Sequence, residues 1–496
     1  MKLYFINHSC LFAVEQMMMT LFPGERPVYP EEPPEPEELA ATVSVLYGLS
    51  QVTAETLLQK DGQLYRGLRQ APTSELSGQL ESKRALQRIV RLSFYDAAIQ
   101  ALGREPPWGA LTGVRPVKLP TRVLWEGGAP EEAAAQLRDL YHVSPRRIEL
   151  AMACAQAALR VKRSLQPDEV SLYIGIPFCP TRCAYCSFIS ADVKRSLTLV
   201  EPYLEALCAE IDAAGGALAR SGRFVRTIYI GGGTPTTLSA GQLARLMDQI
   251  AAALDLSRCT EYTVEAGRPD TITAEKLSVL RDHGATRVSV NPQTMEDHVL
   301  AAMGRAHTAA QILDAYELVR QSGLEQVNMD LIAGLPKDTP EGFQRTLETV
   351  AALEPSNITV HTLALKKSAA LFQHQETLPP PEAVAQMLDY AWDRLEALGY
   401  TPYYLYRQKY MSGSFENVGW CKPGTENVYN ICMMEELHPV LSLGAGGVTK
   451  LTDGSGQLSR LCNPKYAADY LSSLPRVLAD KEEAVNYFRG PAAAPD

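Results

Sequence analysis

Cys179-Pro180-Thr181-Arg182-Cys183-Ala184-Tyr185-Cys186 is the stretch on which the reading of this chain turns. Three thiols at spacings of four and three residues can close round one metal centre, and two assignments compete for them. A tetrahedral zinc site wants a fourth Cys or His at a familiar spacing, yet the next cysteine is Cys208, inside a segment of helical character. A four-iron cluster takes one ligand for each iron, so three cysteines leave one iron open. An open position on a reducible cluster is what a reagent needs if it is to be bound and split by one electron, with the protein supplying position and surroundings.

Outward from the cysteines, strands alternate with helices. Strands are expected at Ser171–Ile176, Thr227–Ile230, Tyr262–Glu265, Arg287–Val290, Gln326–Leu331 and Ile358–Thr362. Ser239, Thr273, Thr308 and Thr339 stand where helix N-caps belong, and Gly284 and Gly323 where helices stop. Alternation of this kind implies parallel βα units, and six of them make a partial (βα)6 barrel because eight are needed for closure. The loops after the strands of a parallel barrel open onto one face, where chemistry gathers. The cysteines follow the first strand and Gly231-Gly232-Gly233-Thr234-Pro235 the second; Glu265 ends the third, and Asn291-Pro292-Gln293 follows the fourth. Asp330 lies near the end of the fifth and Ala364 follows the sixth, so six loops converge on one mouth.

Each group there has a chemical and a structural meaning. The glycines let backbone approach a ligand or simply turn tightly. Glu265 and Asp330 suit ribose hydroxyls or ion pairs. Arg305 suits a carboxylate or a helix surface, and Gln293 a ribose or adenine edge or a neighbouring backbone. His307 and His361 are polar residues that fix loops as readily as they catalyse.

The flanks are of a different character. Residues 1–100 read as an α+β domain with strands at Lys2–Asn7, Thr42–Tyr47 and Gln63–Leu68, a proline-rich acidic linker at Pro30–Glu38, and a helix over Lys83–Leu102. Residues 101–168 form a helical connector that begins with the turn-rich loop Trp108–Lys118, 169–370 the barrel, and 371–496 an α+β extension that covers the substrate. The 496-residue length suits several domains. The ten cysteines lack framework spacing, which points to reduced thiols and a cytoplasmic location. A net charge of −10 disfavours a nucleic-acid partner, and no run of apolar residues is long enough to span a membrane.

The cysteine stretch resembles the CxxxCxxC motif of radical S-adenosylmethionine (radical SAM) enzymes, with Tyr185 as the aromatic residue before the last cysteine. Together with Tyr173–Cys179, Tyr229–Pro235, Gly304–Thr308 and Asp330–Pro336 it is similar to the oxygen-independent coproporphyrinogen III oxidase-like family. Tyr403–Lys409 and the Trp108–Lys118 loop resemble the longer coproporphyrinogen dehydrogenase branch of that family, HemZ. The resemblance implies a [4Fe–4S] cluster on Cys179, Cys183 and Cys186, with S-adenosylmethionine contacts at Tyr173, Tyr185, Gly232, Gly233, Thr234, Glu265, Gln293, Arg305, Asp330, Ala364 and Val448. It also implies oxidative decarboxylation of coproporphyrinogen III to protoporphyrinogen IX by a 5′-deoxyadenosyl radical. The electrons would come from a donor such as flavodoxin or ferredoxin. For the anionic tetrapyrrole, Arg407 and Lys409 are the candidate receptors. The family also contains heme chaperones, whose His-Asn-x-x-Tyr-Trp segment has only Tyr429-Asn430-Ile431-Cys432-Met433-Met434 as its counterpart here. A heme carrier and a radical SAM enzyme acting on heme itself stand as the alternatives.

Overall fold

The computed structural model describes residues 1–32, 35, 38–76, 79–186, 191–192, 196–364, 371, 378–408, 411–452 and 458–489. Lys409 and the linker residues Pro33, Pro34, Pro36 and Glu37 lie outside the described residues. The chain divides into two compact units, one made of Met1–Met152 with Arg407–Phe415 and the other of Ala153–Tyr406 with Glu416–Asp496.

The first unit is a four-stranded sheet of β1 (Lys2–Ile6), β2 (Ala40–Tyr47), β3 (Gln51–Lys60) and β4 (Gln63–Pro72) in spatial order β1-β2-β3-β4. The β1–β2 pair is parallel and the others are antiparallel. Period-two alternation in β2 and β3 puts Val43, Val45, Val52, Ala54 and Leu58 on the buried face. Helices Leu11–Leu21 and Gln79–Leu102 contribute Met17, Met18, Ile89, Val90, Phe94 and Tyr95 to the same core. Gly67 of β4 admits this packing, because a Cβ there would collide with the Ser93 carbonyl of the long helix. The Trp108–Lys118 loop belongs to this unit. Trp108 is buried, and the Arg407 guanidinium lies 5.5 Å from its ring centroid.

The second unit is built on an 11-stranded sheet. Its members are β5 (Glu169–Ile176), β8 (Phe224–Gly232), β9 (Glu261–Glu265), β10 (Arg287–Ser289), β11 (Gln326–Ala333), β12 (Asn357–Thr362), β13 (Thr401–Tyr406), β14 (Asn417–Cys421), β15 (Val440–Leu443), β16 (Val448–Thr452) and β17 (Leu458–Cys462). The short β6 (Phe178–Cys179) and β7 (Ala191–Asp192) pair with each other in parallel. Strands β5, β8, β9, β10, β11 and β12 follow one another in sequence order and in parallel. They are the six expected strands, arranged as an open sheet, as a partial barrel requires. The fourth is shorter than expected: Val290 lies beyond the end of β10, where the chain turns off toward Asn291. All residues of β5 except Tyr173 are buried, the continuous apolar run typical of a strand covered on both faces.

The helices begin where their caps stand. Ser239 accepts from the Gln242 N–H at 3.2 Å while the Gln242 side chain accepts from the Ser239 N–H at 2.9 Å, and Thr308 and Gln311 do the same at 3.4 and 2.9 Å. Thr273 caps through the Lys276 N–H and Thr339 through the Gly342 N–H. Gly284 and Gly323 take φ of +82° and +83° just past their helices, where a side chain would be strained.

Beyond the six strands, antiparallel β14 and β13 extend the sheet from β12. On the other side β15 pairs with β5 in parallel, Val440 opposite Ser171. The turn after β15 is held by a buried ionic hub. Glu210, on helix Leu197–Ser221, accepts from the Gly444 N–H at 2.7 Å, Asn463 Nδ2 at 2.8 Å and the Tyr470 hydroxyl at 2.6 Å. It pairs with Lys481 Nζ at 2.7 Å, with both side chains buried. Among the described residues no helix is long and apolar enough to cross a membrane.

Candidate functional site

The glycine loop after β8 laces onto the segment that carries the first cysteine. The Gly233 N–H donates to Ile176 O at 2.8 Å and the Thr234 N–H to Phe178 O at 2.7 Å. A Cβ on Gly233 would stand 2.5 Å from Phe178 O and 2.8 Å from Ile176 O, so only glycine permits the approach. Gly232 takes φ of +105°. Thr234, 3 % exposed, then donates its hydroxyl to Cys179 Sγ at 3.5 Å.

The rest of the cysteine stretch is pinned to the segment around Gly304. The Ala184 N–H donates to Met303 O at 3.0 Å and the Thr181 hydroxyl to Gly304 O at 3.3 Å. Tyr185 packs beside a cluster of Val299, Met303, Ile332, Leu335 and Leu363. Arg305 reaches back beneath it. Its Nη1 donates to the Tyr185 hydroxyl at 2.9 Å and approaches Cys183 Sγ at 3.9 Å; Nη2 donates to Asn291 O at 2.7 Å and Gly267 O at 2.9 Å, and Nε to His307 Nε2 at 3.3 Å. The guanidinium thus ties three loops together. Burial, with the charges of Arg305 and Arg268, brings His307 down to about 3, so it is a neutral acceptor rather than a cation. Arg268, which sequence reasoning passed over, is 3 % exposed and donates through Nη1 to Thr181 Oγ1 at 3.0 Å and to Cys183 Sγ at 3.8 Å. The available signal was its place in Gly267-Arg268-Pro269-Asp270, directly after a strand end.

Across the mouth stand the carboxylates. Tyr229 donates its hydroxyl to Glu265 Oε1 at 2.6 Å. Its ring stacks on Tyr429 with centroids 4.6 Å apart, and Tyr173 stacks on both at 6.3 and 6.4 Å. Burial pushes the Glu265 carboxyl up to about 7; the Tyr229 hydrogen bond opposes this and the Asp330 charge adds to it. Asp330 moves the other way. Burial raises it, but His361, at 3.7 Å, and Asn328, whose Nδ2 donates at 2.8 Å, leave it below the ordinary carboxylate value. Gln293 is held in the left-handed region, φ +69°, with its N–H on Asp330 O and its own carbonyl accepting from the Ile332 N–H, each at 2.9 Å. Such a conformation is strained for a residue with a side chain and fixes where that side chain starts.

Val448 opens β16 at the far side of the Gly444–Gly447 turn, and Ala364 follows β12. Arg407 belongs to the first unit. It is buried there, with its guanidinium donating to the carbonyls of Leu111 and Ser414. That environment is a packing tie within the unit.

Cys179, Cys183 and Cys186 are each partly exposed. Among the described residues no three His, Cys, Asp or Glu side chains are gathered round one point. A multi-iron cluster fits the surroundings. The thiols are neighbours in one loop, and Cys179 and Cys183 receive donors from Thr234, Arg268 and Arg305, the hydrogen bonds and positive charge that anionic cluster sulfurs need.

A family model described as the Radical SAM superfamily matches residues 173–350. The chain is 38 % identical, over 82 % of its length and 82 % of the relative's, to the oxygen-independent coproporphyrinogen-III oxidase-like protein HemZ of Bacillus subtilis. It is 34 % identical to the heme chaperone HemW of Lactococcus lactis over 64 % of this chain and 77 % of that one. Among solved structures it is similar to the coproporphyrinogen III oxidase HemN of Escherichia coli, a radical SAM enzyme, with a TM-score of 0.52 and 25 % identity, covering 65 % of this chain and 72 % of that one.

Proposed function

The chain belongs to the radical SAM family of oxygen-independent coproporphyrinogen III oxidase-like proteins, and from that premise we propose that it decarboxylates two propionate side chains of coproporphyrinogen III to vinyl groups, yielding protoporphyrinogen IX. The family's cofactors are a [4Fe–4S] cluster and S-adenosylmethionine. When bound, they supply one-electron reductive cleavage of a sulfonium and with it the power to remove a hydrogen atom from an unactivated carbon.

The chain's own residues hold and orient. In this reading the thiolates of Cys179, Cys183 and Cys186 are the cluster ligands. The backbone of Gly231–Gly233 offers N–H and C=O groups to the amino-acid end of the cofactor, at a place where glycine is already required by the close approach to Phe178. Glu265 and Asp330 accept hydrogen bonds from ribose hydroxyls, and Gln293 contacts the nucleoside from its fixed backbone. Arg305 acts by holding Tyr185 and Cys183 in place. The half-buried Tyr229 and the buried Tyr429 stack beside Glu265 and present it with an apolar wall. The reducing electron comes from a small carrier protein of the flavodoxin or ferredoxin class.

The observation that carries the substrate assignment is the 38 % identity to a coproporphyrinogen oxidase-like protein across four-fifths of both chains. The test is anaerobic incubation of reconstituted protein with reductant, S-adenosylmethionine and coproporphyrinogen III, followed by mass analysis of the tetrapyrrole. Loss of two carboxyl groups is the expected result; cofactor cleavage without any change in tetrapyrrole mass would sink the assignment. The similarity to a heme chaperone favours heme carriage as the second reading. Stoichiometric heme binding with transfer and no turnover would establish it.

A further inference from the structure

Two buried guanidinium groups converge on one of the three thiols. Arg305 Nη1 lies 3.9 Å and Arg268 Nη1 3.8 Å from Cys183 Sγ. The charges around this pair do not balance. Arg305 is 5 % exposed and its other partners are a hydroxyl, two carbonyls and a neutral imidazole. Arg268 has one carboxylate, Asp270, at 3.2 Å, and its Nη2 is buried without a hydrogen-bond partner among the described residues. Two cations and one carboxylate leave a net positive charge out of water, which is costly unless an anion arrives to meet it.

We propose that Arg268 is a positioning residue for Cys183 that tunes the cluster: its guanidinium, anchored on Asp270 and Thr181, places positive charge against one ligand sulfur and raises the reduction potential. The inference rests on the cluster assignment of the preceding subsection. Its physical basis is that adding an electron makes the cluster more negative, so nearby positive charge and hydrogen bonds to the sulfurs favour the reduced state. Thr181 sets the aim, since its hydroxyl receives Arg268 and itself donates to Gly304.

The test is a potentiometric titration of the reconstituted full-length protein, followed by the electron paramagnetic resonance signal of the reduced cluster. Arg268→Gln, loaded to the wild-type iron and sulfide content, is expected to be harder to reduce by about tenfold in the equilibrium constant, about 59 mV for one electron. Arg268→Lys keeps the charge but loses the fork, and is expected to show a smaller fall in the same direction. A potential equal to wild type in loaded Arg268→Gln overturns the proposal, as does an unmoved potential in loaded Arg268→Met should the glutamine variant fail to load. Absence of a four-iron signal in the wild-type protein would instead strike the cluster assignment itself.

Discussion

Single side chains set the site's chemistry, and three of them give measurable expectations. Replacing Cys179, Cys183 or Cys186 by Ala is expected to reduce iron after anaerobic reconstitution to a small fraction of wild type while circular dichroism stays unchanged, because the thiols are partly exposed rather than part of a core. Glu265 gives a pH dependence. With its carboxyl near 7, the ionised acceptor that ribose hydroxyls need is lost as pH falls through that value. Cofactor affinity measured by calorimetry should therefore drop about tenfold from pH 8 to pH 6, following the ionised fraction, and Glu265→Gln should flatten the profile. Stability runs the opposite way. A folded value raised above the ordinary 4.5 means that Glu265's contribution is full below 4.5 and is lost as pH rises through about 7. At this scale the sequence made position legible: the cysteines, the glycine triplet and Glu265 do stand at or just after strand ends. It was illegible where the use depends on a partner distant in the chain. Nothing local in Arg305 announces that Gly267 O and Asn291 O accept from its guanidinium, and nothing local in Tyr429 announces that it lies against Tyr229.

The βα loops are elements whose precision comes from their ends. Thr308 closes the segment that delivers Arg305 and His307 and at the same time starts the next helix with a capping box. Thr308→Ala is expected to cost about 1 kcal/mol in urea unfolding, and Thr308→Ser to recover most of it. Gly233→Ala is a harsher change, since the added methyl would meet backbone oxygen from two residues of the cysteine-bearing segment; weakened cofactor binding should accompany lowered stability. The elements themselves were foreseen from alternation and caps, because a strand buried on both faces and a capped amphipathic helix have strong local signatures. β3 (Gln51–Lys60) was absent from the expected strands in spite of its clear alternation; other missed elements lacked such signatures. Helix Leu11–Leu21 has neither a side-chain cap nor an acidic first turn. The run of β13 to β17 is short strands whose pairing is set by remote partners.

For the whole second unit, the Glu210–Lys481 hub joins a barrel helix, the turn after β15 and the C-terminal helix Leu474–Arg489. Lys481→Met leaves a carboxylate buried and unpaired and is expected to cost about 3–5 kcal/mol, read as a fall in melting temperature that Glu210→Gln in the same chain partly reverses. The strand beside that hub bears on biosynthesis. β5 opens the barrel, yet one of its two neighbours is β15, residues 440–443, translated 267 residues after Ile176. At ribosomal speeds of 5–20 residues per second, about 13–53 s pass during which an apolar strand presents a bare hydrogen-bonding edge. A nascent chain stalled before Val440 should consequently be a client of holdase chaperones and sediment in their absence, whereas one released beyond Leu443 should not: the edge is bare while the protein is still attached to the machine that makes it.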